Sequence, residues 1–102
     1  MNNDTDIIKR LQEIIRYKKI KSVRLKDRVE EFMLLSCEHI TAWVDERGEL
    51  RMSFEDLCNL IGIHEWEKTD RRALSKALRE HQCGGLKLDI QNGIFIWTRR
   101  KD

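Results

Sequence analysis

Apolar positions in the first two-thirds of the chain recur at helical spacing. Ile7, Ile8, Leu11, Ile14 and Ile15 predict a short amphipathic helix from Thr5 to about Tyr17, with Asp4 or Thr5 as its N-cap. The stretch from Arg16 to Arg28 is dense in Lys and Arg and has no clean period, so it reads as a linker or a helix end. Val29, Phe32, Met33, Ser36, Ile40 and Trp43 then fall within roughly 120 degrees of one another on a helical projection, whereas Glu30, Glu31, Glu38 and Asp45 lie elsewhere. This predicts a helix from about Leu25 to Val44, stopped by Arg47-Gly48. Leu34 and Leu35 fall off the stripe, Leu34 nearly opposite to it, and the N-terminal helix is their expected cover.

A short extended piece, Glu49 to Met52, follows. Ser53 is placed to cap a second helix with Asp56 as its capping-box partner; Phe54, Leu57, Cys58 and Ile61 form its buried stripe, and Gly62 ends it. Ile63 to Lys68 connects to Thr69, a good N-cap with Asp70 in the first turn, where a carboxylate suits the helix dipole. Within that connection Trp66 reads as a lid on the core, with base stacking as its other use.

From Asp70 to about His81 the pattern divides cleanly. Leu74, Ala77, Leu78 and His81 share one face, while Arg72, Ser75, Lys76 and Arg79 share the opposite one. The period then switches to two. Asn92-Gly93 supplies the two positive φ angles of a type I′ turn between strands Leu86 to Gln91 and Ile94 to Thr98. In that register Gln91 faces Ile94, Ile90 faces Phe95 and Leu88 faces Trp97. Leu86, Leu88, Ile90, Phe95 and Trp97 fall on the core side, and Lys87, Asp89, Gln91, Ile94, Ile96 and Thr98 on the other. A basic helix running into a hairpin is the core of a winged helix-turn-helix. The expected fold is therefore mainly α with a small β-hairpin (α+β), a winged helix-turn-helix carrying an extra N-terminal helix. One domain spanning 1–102 is expected, with 1–24 as N-terminal helix and basic linker and 25–102 as the winged-helix core.

Composition agrees. The 102 residues are 40% hydrophobic, enough for one small core, and contain no proline. No run approaches the length of a membrane span, and the N-terminus lacks the layout of a signal peptide, so a cytoplasmic chain without a membrane partner is expected. The net charge of +2 hides a segregation. Residues 1–28 hold nine Lys/Arg against four Asp/Glu, residues 29–68 three against ten, and residues 69–102 eight against four. A polyanion would meet the basic ends, while the acidic middle turns its carboxylates to water or to a partner.

Cys37, Cys58 and Cys83 are odd in number and widely spaced, and each lies in or beside an apolar pattern. They read as reduced small hydrophobes, not as a disulfide framework or a zinc site. His39, His64 and His81 lack the paired spacing of metal ligands. There is no phosphate loop, nucleophile elbow or His-Glu-x-x-His helix, so no enzyme activity, cofactor or metal is expected.

Ala42-Trp43 before an acidic helix end and Gly48, then Ser53-Phe54-Glu55-Asp56-Leu57, Leu74-Ser75-Lys76-Ala77-Leu78-Arg79-Glu80 and lastly Trp97, resemble the C-terminal winged-helix domains of phage and plasmid primase-helicases. The likeness runs from about Ile40 to Thr98; Gln82-Cys83-Gly84-Gly85 departs from the plain helix-ending glycine of that pattern. The resemblance implies a replication-linked DNA-binding module, either excised from a larger mobile-element protein or standing alone. The motor to which that family appends the module is not in this sequence.

The expected partner is nucleic acid, duplex DNA rather than single strands. Arg72, Ser75, Lys76 and Arg79 would lie in or near the major groove, with Arg71 flanking and Lys87, Arg99 and Arg100 on the backbone as part of a wing. The Arg16 to Arg28 stretch either adds nonspecific contacts or is a solvated linker. The competing expectation is a protein-interaction or homodimerisation module, in which Leu34, Leu35, Ile94 and Ile96 form an exposed apolar surface rimmed by the acidic helix.

Overall fold

The structure, a computed structural model, describes residues 4–63 and 70–101. Along the chain run α1 (Asp4–Lys18), α2 (Leu25–Arg47), β1 (Glu49–Ser53), α3 (Phe54–Ile61), α4 (Arg71–Glu80), β2 (Leu86–Gln91) and β3 (Ile94–Arg99). Among the described residues, four helices and a three-stranded antiparallel sheet make a mixed α+β molecule. The expected readings of His64, Trp66 and Thr69 lie outside the described residues.

The helix boundaries follow local chemistry. Gly48 ends α2 at φ 93°, its N–H donating to the Val44 carbonyl. The Ser53 hydroxyl caps α3 by accepting the Asp56 N–H at 3.0 Å. At α4 the cap is Asp70: its carboxylate accepts the Arg72 N–H at 2.9 Å, and the helix begins at Arg71, one residue later than expected. A carboxylate accepts a backbone N–H as readily as a hydroxyl does and also suits the dipole, which is why Asp70 serves.

β3 is the central strand. Its pairing with β2 has the expected register, Gln91 with Ile94, Ile90 with Phe95 and Leu88 with Trp97, about a turn in which Asn92 has φ 51° and Gly93 φ 79°. On its other edge β3 receives β1, which sets Leu50 opposite Trp97 and Met52 opposite Phe95. The extended piece after α2 is thus a full strand, and the inner sheet face consists of Leu50, Met52, Leu86, Leu88, Phe95 and Trp97, all buried. This third strand changes the outer face. Ile96, flanked by Arg51 on one side and Asp89 on the other, is only 7% exposed, and Ile94 is half-buried.

Above the inner face lie the helices. Val29, Phe32, Met33, Ser36, Ile40 and Val44 form the buried stripe of α2, with Val44 taking the place expected for Trp43. Trp43 is half-buried beneath the Arg47 guanidinium, 3.7 Å from the ring centroid. α1 adds Ile7 and Leu11 to the same core, packing on α2 and α3. It does not cover Leu34, which stays 78% exposed while Leu35 is half-buried. The expected apolar surface of Leu34, Leu35, Ile94 and Ile96 is therefore reduced to Leu34 as its one exposed member.

Cys37 on α2 and Cys83 between α4 and β2 form a disulfide, contrary to the expectation that all three cysteines are reduced. Their 46-residue separation in sequence concealed a Cα–Cα distance of 5.4 Å. Cys58 is free and fully buried in α3; burial pushes its thiol up to about 11, against a smaller opposing effect of the nearby Arg71 charge.

Candidate nucleic-acid interface

α4 is positioned by three buried side chains, Leu74, Ala77 and Leu78, on the side packed against α2. The helical period then commits Arg72, Lys76 and Arg79 to the opposite side, where all three are exposed. Along the helix axis Arg72 and Arg79 stand seven positions apart, about 10 Å at 1.5 Å per residue. Among the described residues none of the three forms an ion pair. Ser75, half-buried between them, donates its hydroxyl to the Arg71 carbonyl at 2.7 Å, so this short side chain folds back on the helix.

Beside this row lies a shallow groove of about 510 Å³, lined by Arg71, Arg72, Ser75, Lys76, Arg79, Glu80 and Ile90. It brings together five of the expected site residues, with the β2 residue Ile90 as its apolar element and Glu80 as a carboxylate on its border. Arg71 closes one end. Its guanidinium lies 4.7 Å from the Phe54 ring centroid, on α3, and a Cβ added at Gly93 would stand 3.7 Å from its Nη1. One side chain thereby spans from α3 to the hairpin turn. Sequence reading missed Phe54 and Ile90 as parts of this site, because both carry the apolar signature of core residues; only Ile90's place one residue before Gln91-Asn92-Gly93 hinted at the turn.

Lys87, Arg99 and Arg100 are held elsewhere. In the β2–β3 register Lys87 pairs with Thr98 and Leu86 with Arg99, at the end of the ribbon away from the turn, about 13 Å along the strand from Gln91. Lys87 Nζ lies 3.7 Å from Asp89, Arg99 Nε 3.4 Å from Asp45, and Arg100 donates to the Gln82 amide oxygen at 2.5 Å. The turn itself, Gln91-Asn92-Gly93, carries no cation.

The basic Arg16 to Arg28 stretch is an organised connection. The Glu31 carboxylate accepts the Lys21 N–H at 2.9 Å, the Ser22 N–H at 3.5 Å and the Ser22 hydroxyl at 2.8 Å. The Ser22 hydroxyl is the largest influence on the Glu31 carboxyl and, with the two backbone N–H groups and the Arg28 charge, holds it below the usual range against desolvation, the second-largest effect, which raises it. Arg28 donates from Nε (2.9 Å) and Nη2 (2.7 Å) to the Ile61 carbonyl at the end of α3, and from Nη1 to the Ser22 carbonyl at 2.5 Å. It supplies the C-terminal carbonyls of α3 with a cation, as the helix dipole favours. Gly62 makes room for it: its φ is 89°, and a Cβ there would stand 2.3 Å from Arg28 Nη2.

Among the described residues no three of His, Cys, Asp and Glu are grouped as metal ligands, and no helix is long and apolar enough to cross a membrane. A second cleft of about 320 Å³ between α1 and α2 mixes Asp6 and Glu46 with Arg10 and Arg47, so it carries no single-sign field to attract a polyanion. Comparison of the chain with protein-family models, curated proteins and solved structures gave no match.

Proposed function

We propose that this chain is a winged-helix module that binds nucleic acid, duplex DNA first, through Arg71, Arg72, Ser75, Lys76 and Arg79. One observation carries the reading: a row of cations on one face of α4, exposed and without ion pairs among the described residues, beside a groove at the hairpin. Supporting it is the order helix, strand, helix, helix, strand, strand from α2 to β3, with β1 and β2 on opposite edges of β3. In a winged helix α4 would be the recognition helix and Asn92-Gly93 the tip of the wing.

Physically, phosphates bring most of the affinity and base edges most of the selectivity. Arg71 is already oriented by its stack on Phe54, which leaves less side-chain freedom to lose on binding a phosphate. Arg72 and Arg79 have the fork that guanine O6 and N7 accept, and the folded-back Ser75 lets the helix approach closely. Lys87, Arg99 and Arg100 take a peripheral role, since each already has a partner within the chain. The link to replication rests on the resemblance of the Ser53–Leu57 and Leu74–Glu80 segments.

Fluorescence anisotropy with random duplex and single-stranded DNA at two salt concentrations tests this. Tighter binding to duplex, weakening as salt rises, is expected. A chain retained by neither DNA overturns the reading and favours the protein-interaction module, whose remaining exposed apolar anchor is Leu34 on the acidic helix.

A further inference from the structure

The Cys37–Cys83 bond joins the two elements whose relative placement decides where the α4 cations stand. Cys37 lies in the middle of α2, and Cys83 lies in the turn that links the end of α4 to the start of β2. The covalent loop it closes contains β1, α3 and the whole of α4. Apart from this bond, α4 is fixed at its last turn by the burial of Ala77 and Leu78. It is ten residues long, too short to persist alone, and its C-cap is the His81 N–H to Ala77 carbonyl bond of 3.2 Å. Among the described residues, the buried Nε2 of the His81 imidazole has no hydrogen-bond partner.

We propose that the Cys37–Cys83 disulfide is a reducible tether that registers α4 against α2, so that the oxidised chain presents the cation row in one placement and the dithiol chain in several. A small dithiol is the reductant. Its thiolate attacks the half-buried Cys37 sulfur, the S–S bond breaks, and Cys83 leaves as a thiolate that takes up a proton. The second thiol of the reductant then displaces the Cys37 thiolate, which is protonated in turn. The protein gains two electrons and two protons, and the reductant ends as its own disulfide. Cys58, buried in α3 and almost wholly protonated near neutral pH, does not compete by exchange.

The affinity consequence rests on the nucleic-acid reading of α4, whereas the tether itself has an independent readout. Thiol titration of the denatured, air-oxidised chain should count one thiol, and three after reduction with dithiothreitol; three before reduction overturns the proposal. Amide hydrogen exchange of residues 71–80 should accelerate on reduction, with α1 and the sheet still protected, and Cys83→Ser should reproduce this without reductant. Unchanged exchange, or loss of protection throughout the molecule, contradicts a local tether. Binding to a random duplex at fixed salt should weaken about threefold on reduction, as expected if the competent placement of α4 falls to about one-third of the population, and recover on reoxidation. Equal affinity in both states overturns the coupling. A chain that binds DNA in neither state defeats the functional reading, and the exchange result then decides the tether alone.

Discussion

Replacing Arg28 by Met separates structural from functional use of a cation in the basic stretch. Met keeps most of the apolar stem and deletes the donors to the Ile61 and Ser22 carbonyls. A charge-assisted bond to a buried carbonyl contributes about 1.5–3 kcal/mol. Here the site is part-buried and the two donors to Ile61 share one acceptor, so about 1 kcal/mol per carbonyl, about 2 kcal/mol in all, is the expected loss. For a domain of this size each kcal/mol moves Tm by about 4–8 °C, so thermal unfolding followed by circular dichroism should show a fall of about 8–16 °C. The salt dependence of DNA binding, measured where the variant is folded, should not change. A stability change under about 0.5 kcal/mol, the range of ordinary surface substitutions, refutes the capping role. A salt slope reduced by a full phosphate contact makes Arg28 part of the interface instead.

Further predictions follow from the same geometry. Gly62→Ala should cost about 2–3 kcal/mol, from the positive φ and the displaced Arg28, and about 1 kcal/mol in an Arg28→Met background; equal costs in both, by urea unfolding, would separate the two sites. Glu31→Gln should lower stability at neutral pH. Because folding depresses the Glu31 pKa, its contribution is full above the ordinary value of 4.5 and fades as pH falls through the folded value, so wild-type and variant Tm values should converge at acid pH. A gap unchanged down to pH 2 contradicts the Ser22 and Lys21 contacts. Combined Lys87→Ala, Arg99→Ala and Arg100→Ala should leave the salt slope of DNA binding within about one contact of wild type; a larger drop moves the interface to the base of the ribbon.

Local patterns made much of the fold legible. Period-two alternation with Asn92-Gly93 determines a register, since a one-residue slip would turn Leu88 and Trp97 to solvent. Gly48 and Gly62 mark helix ends because their positive φ favours glycine, and Ser53 because its hydroxyl accepts a first-turn N–H. What escaped was long-range. Nothing within Glu49–Ser53 says which strand it joins, and that pairing is what buries Ile96. The Cys37–Cys83 bond and the Arg28–Ile61 cap likewise join residues 46 and 33 positions apart. At the site, the division of α4 into buried and cationic faces was readable from spacing. The engagement of Arg99 and Arg100 was not, because Asp45 and Gln82 reach them only in the folded chain, whereas the partner of Lys87, Asp89, lies two residues along the same strand.

The central claim, that the α4 cations meet phosphates, is tested most directly by the dependence of log K on log salt for a random duplex, comparing the wild type with Arg72→Gln/Arg79→Gln. Four contacts from Arg71, Arg72, Lys76 and Arg79 correspond to a slope of about −3.6, and removal of two should bring it to about −1.8. A wild-type slope near zero, or one that the double substitution leaves untouched, contradicts the account.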